Sequence, residues 1–128
     1  MTPTLSIRSL HLEYQLWTRE LLFYKEEIKI FEDHLEAILR RNNKNGVPAH
    51  VEHFQNQFIR QREIIDELKH DLHISERQLA SFTRDMVLVG YEFERLDNHT
   101  GLRDKFLTFR KIFSELKEEF HHFECERL

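Results

Sequence analysis

Residues 7–38 read IRSLHLEYQLWTRELLFYKEEIKIFEDHLEAI, and the spacing of their apolar side chains decides the fold. Ile7, Leu10, Tyr14, Trp17, Leu21, Tyr24, Ile28, Phe31, Leu35 and Ile38 stand at alternating steps of three and four, and all ten positions are apolar. In a chain that is 40% hydrophobic, one register shows such a run by chance about once in ten thousand trials. The segment is therefore an amphipathic helix with a heptad seam of the coiled-coil type, predicted over 5–42. Asn42, Asn43, Asn45 and Gly46 tolerate left-handed dihedrals, and Pro48 cannot continue a helix but can begin one, so a turn follows.

From Val51 the rhythm resumes through Phe54, Phe58, Gln61, Ile65, Leu68, Leu72, Ser75, Leu79, Phe82, Met86, Val89, Phe93 and Leu96, with twelve of fourteen positions apolar. The register does not slip at Ser75, so the spacing predicts one helix over 49–97, roughly 70 Å long. Ser75 with Gln78 also makes a capping-box pattern, and Ile74 with Leu79 a hydrophobic staple; a break there would give four helices instead of three. Asp97, Asn98, His99, Thr100 and Gly101 have the composition of a second turn. Leu102, Phe106, Phe109, Phe113, Leu116, Phe120 and Phe123 form a third seam, predicted as a helix over 102–126. The expectation is a single all-α domain over 1–128: three long antiparallel helices in an elongated bundle.

Composition agrees. Three Gly, two Pro and a 33% charged fraction supply too few turn residues for an all-β or α/β chain. Eleven Phe residues predict an aromatic core. The net charge of −4 arises between residues 48 and 101, where ten acids face six bases, and no basic stretch stands out along the chain. Nucleic-acid binding, which relies on clustered Lys and Arg, is not expected. The single Cys125 rules out an internal disulfide framework and suits a reducing compartment. The first fifteen residues have no apolar run of signal-peptide length, and the longest aliphatic run is Met86–Val89. A cytoplasmic protein that does not bind membranes is expected.

Pairing seam with seam through short connections sets Ile38 opposite Val51, Phe106 opposite Val89 and Phe123 opposite Leu72. In that register only residues 72–82 of the middle helix meet both neighbours, which leaves two-helix arms with incompletely buried apolar surface. Helix 1 also carries a second stripe, Leu16, Phe23, Ile30 and Ala37, spaced by seven, and Tyr91 and Leu107 crowd the shorter arm. Apolar patches of several hundred Å² are rare on soluble monomers, so the expected cover is a second copy in a homodimer or a helical protein partner.

Catalytic motifs are absent: there is no Gly-rich phosphate loop, no paired Cys, and Ser75 lacks the strained turn that activates a nucleophile. The leading expectation is a non-enzymatic interaction protein with no cofactor, using Leu16, Phe23, Ile30, Tyr91 and Leu107. Its rival is a ferritin-like carboxylate and histidine metal protein. Glu13, Glu20, Glu27 and His34 recur every seven residues between the two stripes, and partly buried carboxylates require a cation, so Glu20, Glu27 and His34 are the metal candidates. The competing reading of that row is charge pairing beside a heptad seam. Glu67 to His70, Glu118 to His121, Glu119 to His122 and the group His50, Glu52, His53 also have ligand-like spacing, but off the seams.

Overall fold

A computed structural model describes the backbone of residues 7–41, 46–85 and 89–127 and the side chains at 8–41, 46–81 and 99–127. Among these residues the chain forms three helices and no strand: α1 (Ile7–Arg41), α2 (Val47–Asp85) and α3 (Val89–Arg127). No helix among them is long and apolar enough to cross a membrane.

The first turn follows its chemistry. Gly46 takes φ +80, the left-handed region open to glycine. Its carbonyl accepts a hydrogen bond from the His50 N–H at 3.1 Å, and Pro48 sits in the first helical turn, where no N–H is required.

The second boundary lies elsewhere than expected. α2 ends at Asp85 instead of 97, and α3 begins at Val89 and runs unbroken through Asp97–Gly101. Packing overrides the local turn signal: the His99 side chain is buried in the core at 1% exposure, one step before Leu102 in the α3 seam. α2 also passes through Ser75 without a break, so the capping-box pattern there is not used. The expected seam members Phe82, Met86, Phe93 and Leu96 and the interface candidate Tyr91 have side chains outside the described residues.

Moving the boundary makes the helices nearly equal, at 35, 39 and 39 residues, or about 50 to 60 Å each. The two-helix arms expected from the sequence therefore do not form. Phe123 packs on His50 and Phe54, with ring centroids 5.7 and 5.1 Å apart, and not on Leu72. Phe120 lies among Phe31, Phe54 and Phe58 at 5.1 to 5.4 Å, so it does not sit beside Ser75. Contacts between α1 and α2 advance in opposite directions along the two helices, as Phe31 meets Phe58 and Lys25 meets Asp66. Contacts between α1 and α3 advance together, Glu20 with Arg110 and then Glu27 with Lys117, so these two helices are parallel.

The core is one continuous cluster built from the seams, and it is aromatic at its centre: Phe58, Phe106, Phe113 and Phe120 are fully buried. Each such ring contributes ~1.5 to 3 kcal/mol over exposure, before the cost of ordering it. Gln61 is the polar exception on α2, 3% exposed, and its Oε1 has no hydrogen-bond partner.

Candidate functional site

The boundary between α1 and α3 carries a ladder of charges at heptad spacing. Glu13 lies 3.8 Å from Arg103; Glu20 holds Arg110 at 2.7 and 2.9 Å through both carboxylate oxygens; Glu27 holds Lys117 at 2.9 Å; and His34 contacts Glu124. Glu13, Glu20 and Glu27 of the row that sequence reading singled out are thus partly buried and matched by cations from α3 of the same chain, while His34 is exposed and meets an acid. Arg110 and Lys117 also lie over the Phe106 and Phe113 rings, at 4.8 and 5.8 Å, so their stems cover the aromatic core from water.

The rung at Glu20 is the best formed. The Tyr24 hydroxyl donates to Glu20 Oε2 at 2.7 Å. Burial first, and then this bond to a carboxylate, push the Tyr24 phenol up to about 12. The Arg110 guanidinium is raised by its hydrogen bonds to Glu20.

At the other end, His99 closes the boundary. Its ring stacks on Trp17, 5.8 Å apart and tilted by only 4°, and Trp17 stacks on Phe106 at 4.9 Å. Nδ1 lies 3.1 Å from the Tyr14 hydroxyl, while Nε2 faces Glu13 Oε2 at 3.3 Å without a hydrogen bond. Burial holds the His99 imidazole below its ordinary value, against the pull of Glu13 and with a smaller push from Arg103.

The metal reading of this row loses its geometry. Glu20, Glu27 and His34 are one heptad apart on one helix, about 10 Å per step, so they cannot converge on one ion, and each already has its own partner. Glu67, His70, Glu118, Glu119, His121 and His122 are exposed. His50 and His53 rest on Phe123 and Phe54. Among the described residues no group of three His, Cys, Asp or Glu side chains is placed to hold a metal ion.

The apolar candidates behave differently. Leu16, Phe23 and Ile30 are 52, 60 and 51% exposed, so their own chain does not cover them. They run along α1 immediately outside the Glu13, Glu20, Glu27 row, and Leu107, 45% exposed, borders the ladder from α3. The charge ladder is thus flanked by an exposed apolar stripe on α1 and by the single exposed Leu107 on α3. Sequence reading missed that Leu107 lies across the ladder from the α1 stripe because it placed α3 about five turns away along α2. The signal that would have corrected it is His99, which extends the third seam back past the supposed turn. A comparison with protein-family models, with curated proteins and with solved structures finds no match to this chain.

Proposed function

We propose that this chain is a non-enzymatic interaction protein that pairs with a second copy of itself through the apolar stripe beside the α1/α3 charge ladder. The observation that carries the reading is the exposure of Leu16, Phe23 and Ile30, each half or more open to water at heptad spacing on a helix whose other seam is buried. With Leu12 and Leu107 they present on the order of 500 Å² of apolar surface, at roughly 100 Å² per side chain, most of the ~800 Å² per partner of a standard interface. A stripe with a period of seven fits another helix, and a two-fold axis brings the same stripe against itself. The neighbouring charges favour this occupant, because Glu20 with Arg110 and Glu27 with Lys117 cancel inside each chain, so two identical faces meet without like-charge repulsion. The exposed, unpaired Cys125 suits a reducing compartment, and a cytoplasmic location belongs to the same proposal.

Light scattering after size exclusion tests it. The native chain is expected at twice the single-chain mass at micromolar concentration. Phe23→Glu with Ile30→Glu is expected at the single-chain mass with unchanged helicity by circular dichroism. A native chain of single mass throughout, or a double variant that still dimerises, refutes the proposal.

A further inference from the structure

The boundary between α1 and α2 has matched charges over only part of its length. Glu32 pairs with Arg62, and Lys25 with Asp66 at 2.9 Å. Because the two helices run in opposite directions, one heptad back from Glu32 and one heptad on from Arg62 sets Lys69 across from Lys25, two like charges. Lys25 turns to Asp66, and Lys69 is left with no ion pair among the described residues. Among the described residues Arg8, Arg19 and Arg77 make none either; eight other described Lys and Arg side chains are paired, while Lys29, Arg41, Lys111 and Arg127 are unpaired elsewhere on the surface.

Arg8, Arg19, Lys69 and Arg77 gather on one side of the bundle. Thr18 and Arg19 of α1 face Lys69, His70, His73 and Glu76 of α2 across an open cleft of about 540 Å³. An adjoining cleft of about 820 Å³ shares His73 and Glu76 and adds Arg8, His11 and Arg77. Glu76 is the one acid lining either cleft. A surplus of three positive charges is therefore concentrated on a chain of net charge −4, with Arg8 and Arg19 supplied by α1 and Lys69 and Arg77 by α2.

We propose that the α1/α2 cleft binds a phosphate-bearing ligand, with Arg19 and Lys69 as its charge anchors and the His70 and His73 rings as further N–H donors. A guanidinium offers paired donors that match phosphate oxygens, and an ammonium adds a point charge from the opposite wall. His70 and His73, three residues apart, share a face of α2 beside Lys69. An anion with acceptor oxygens on several sides suits donors on two walls better than a carboxylate, which has two oxygens and one charge. This cleft opens on the α2 side of α1 and is lined mainly from α2; Arg19, one turn from Leu16 and from Phe23, stands at the margin between it and the apolar stripe, and binding there does not depend on self-association.

The test titrates the 128-residue chain with inorganic pyrophosphate at low salt, followed by calorimetry and by amide chemical shifts. Saturable one-to-one binding is expected, with the largest shifts at Arg19, Lys69, His70 and His73. Arg19→Gln with Lys69→Gln, both substitutions outside the core, should weaken it by about tenfold or more while helicity is unchanged. A parallel arm uses phosphatidylcholine vesicles with and without a phosphoinositide. Co-sedimentation that needs the phosphoinositide and is lost in the double variant assigns the phosphate to a lipid headgroup; pyrophosphate binding without vesicle binding assigns it to a soluble ligand. Failure of both probes to bind, shifts that map elsewhere, or binding unchanged in the double variant overturns the proposal. If the double variant does not fold, the shift map of the native chain decides.

Discussion

Phe120→Ala removes the ring on which the three helices meet. Phe120 is fully buried and lies within 5.1 to 5.4 Å of Phe31 on α1 and of Phe54 and Phe58 on α2. Deleting a buried Phe ring costs ~3 to 5 kcal/mol, partly as lost transfer energy and partly as the cavity left behind. Domains of this size have a total stability of about 5 to 15 kcal/mol, so the variant should fold and still be measurable. With a urea m-value of ~2 kcal/mol/M, the unfolding midpoint should drop by roughly 1.5 to 2.5 M. A double-mutant cycle makes the test specific to register. Phe120→Ala and Phe54→Ala should couple by about 0.5 to 1.5 kcal/mol, because they remove the same ring pair. Phe120→Ala and Ser75→Ala should be additive within about 0.5 kcal/mol, because α3 does not bring Phe120 to Ser75. Coupling to Ser75 with none to Phe54 would show that α3 sits five turns further along α2, and Leu107 would then not lie across the ladder from the α1 stripe.

Two other measurements probe α3 where it departs from its local sequence. Gly101 is helical, exposed, and has no atom within 4 Å of the position a Cβ would occupy, so Gly101→Ala should stabilise the chain by ~0.5 to 1 kcal/mol in urea titration; destabilisation would mean that a turn, and not a helix, occupies 97–101. The His99 imidazole is held below its usual value, so the unfolded chain binds this proton more readily than the folded one. Its contribution is therefore complete above the unfolded value of about 6.5 and is lost progressively as the pH falls below it. His99→Leu should flatten this part of the stability profile between pH 7 and 5 relative to the native chain; parallel profiles would show that His99 is not buried as described.

The sequence made α1 and its turn legible because two independent signals agreed there. The ten-member seam required a helix, and Gly46 with Pro48 supplied both the left-handed dihedral and the missing N–H at its end. At the next boundary the signals conflicted. The heptad pattern ran from Leu79 through Val89 without a slip, while Asp97–Gly101 had turn composition. Neither located the end of α2 at Asp85, because the residues after it, Met86, Val87 and Leu88, are aliphatic and carry no turn chemistry. The charge row on α1 was legible in kind but not in partner. Its seven-residue period and its place beside the seam showed that Glu20 and Glu27 needed cations, but Arg110 and Lys117 could be named only once α3 was in register.

The same register explains why α1 has two open sides of different character. On its α3 side every described acid of the heptad row finds a base, so the charges there are paired within the chain and the exposed apolar stripe beside them is left uncovered. Such a surface gains free energy by excluding water, with salt affecting it weakly. On its α2 side the juxtaposition of Lys25 and Lys69 cannot be satisfied from both helices, and Arg19 and Lys69 face an open cleft with Glu76 as its one acid. Such a surface gains by neutralising charge and weakens as salt rises. Salt therefore separates the two proposals without any substitution. Raising it should leave the dimer mass unchanged while pyrophosphate affinity falls, and if both respond alike, the two faces do not work by the distinct forces assigned to them.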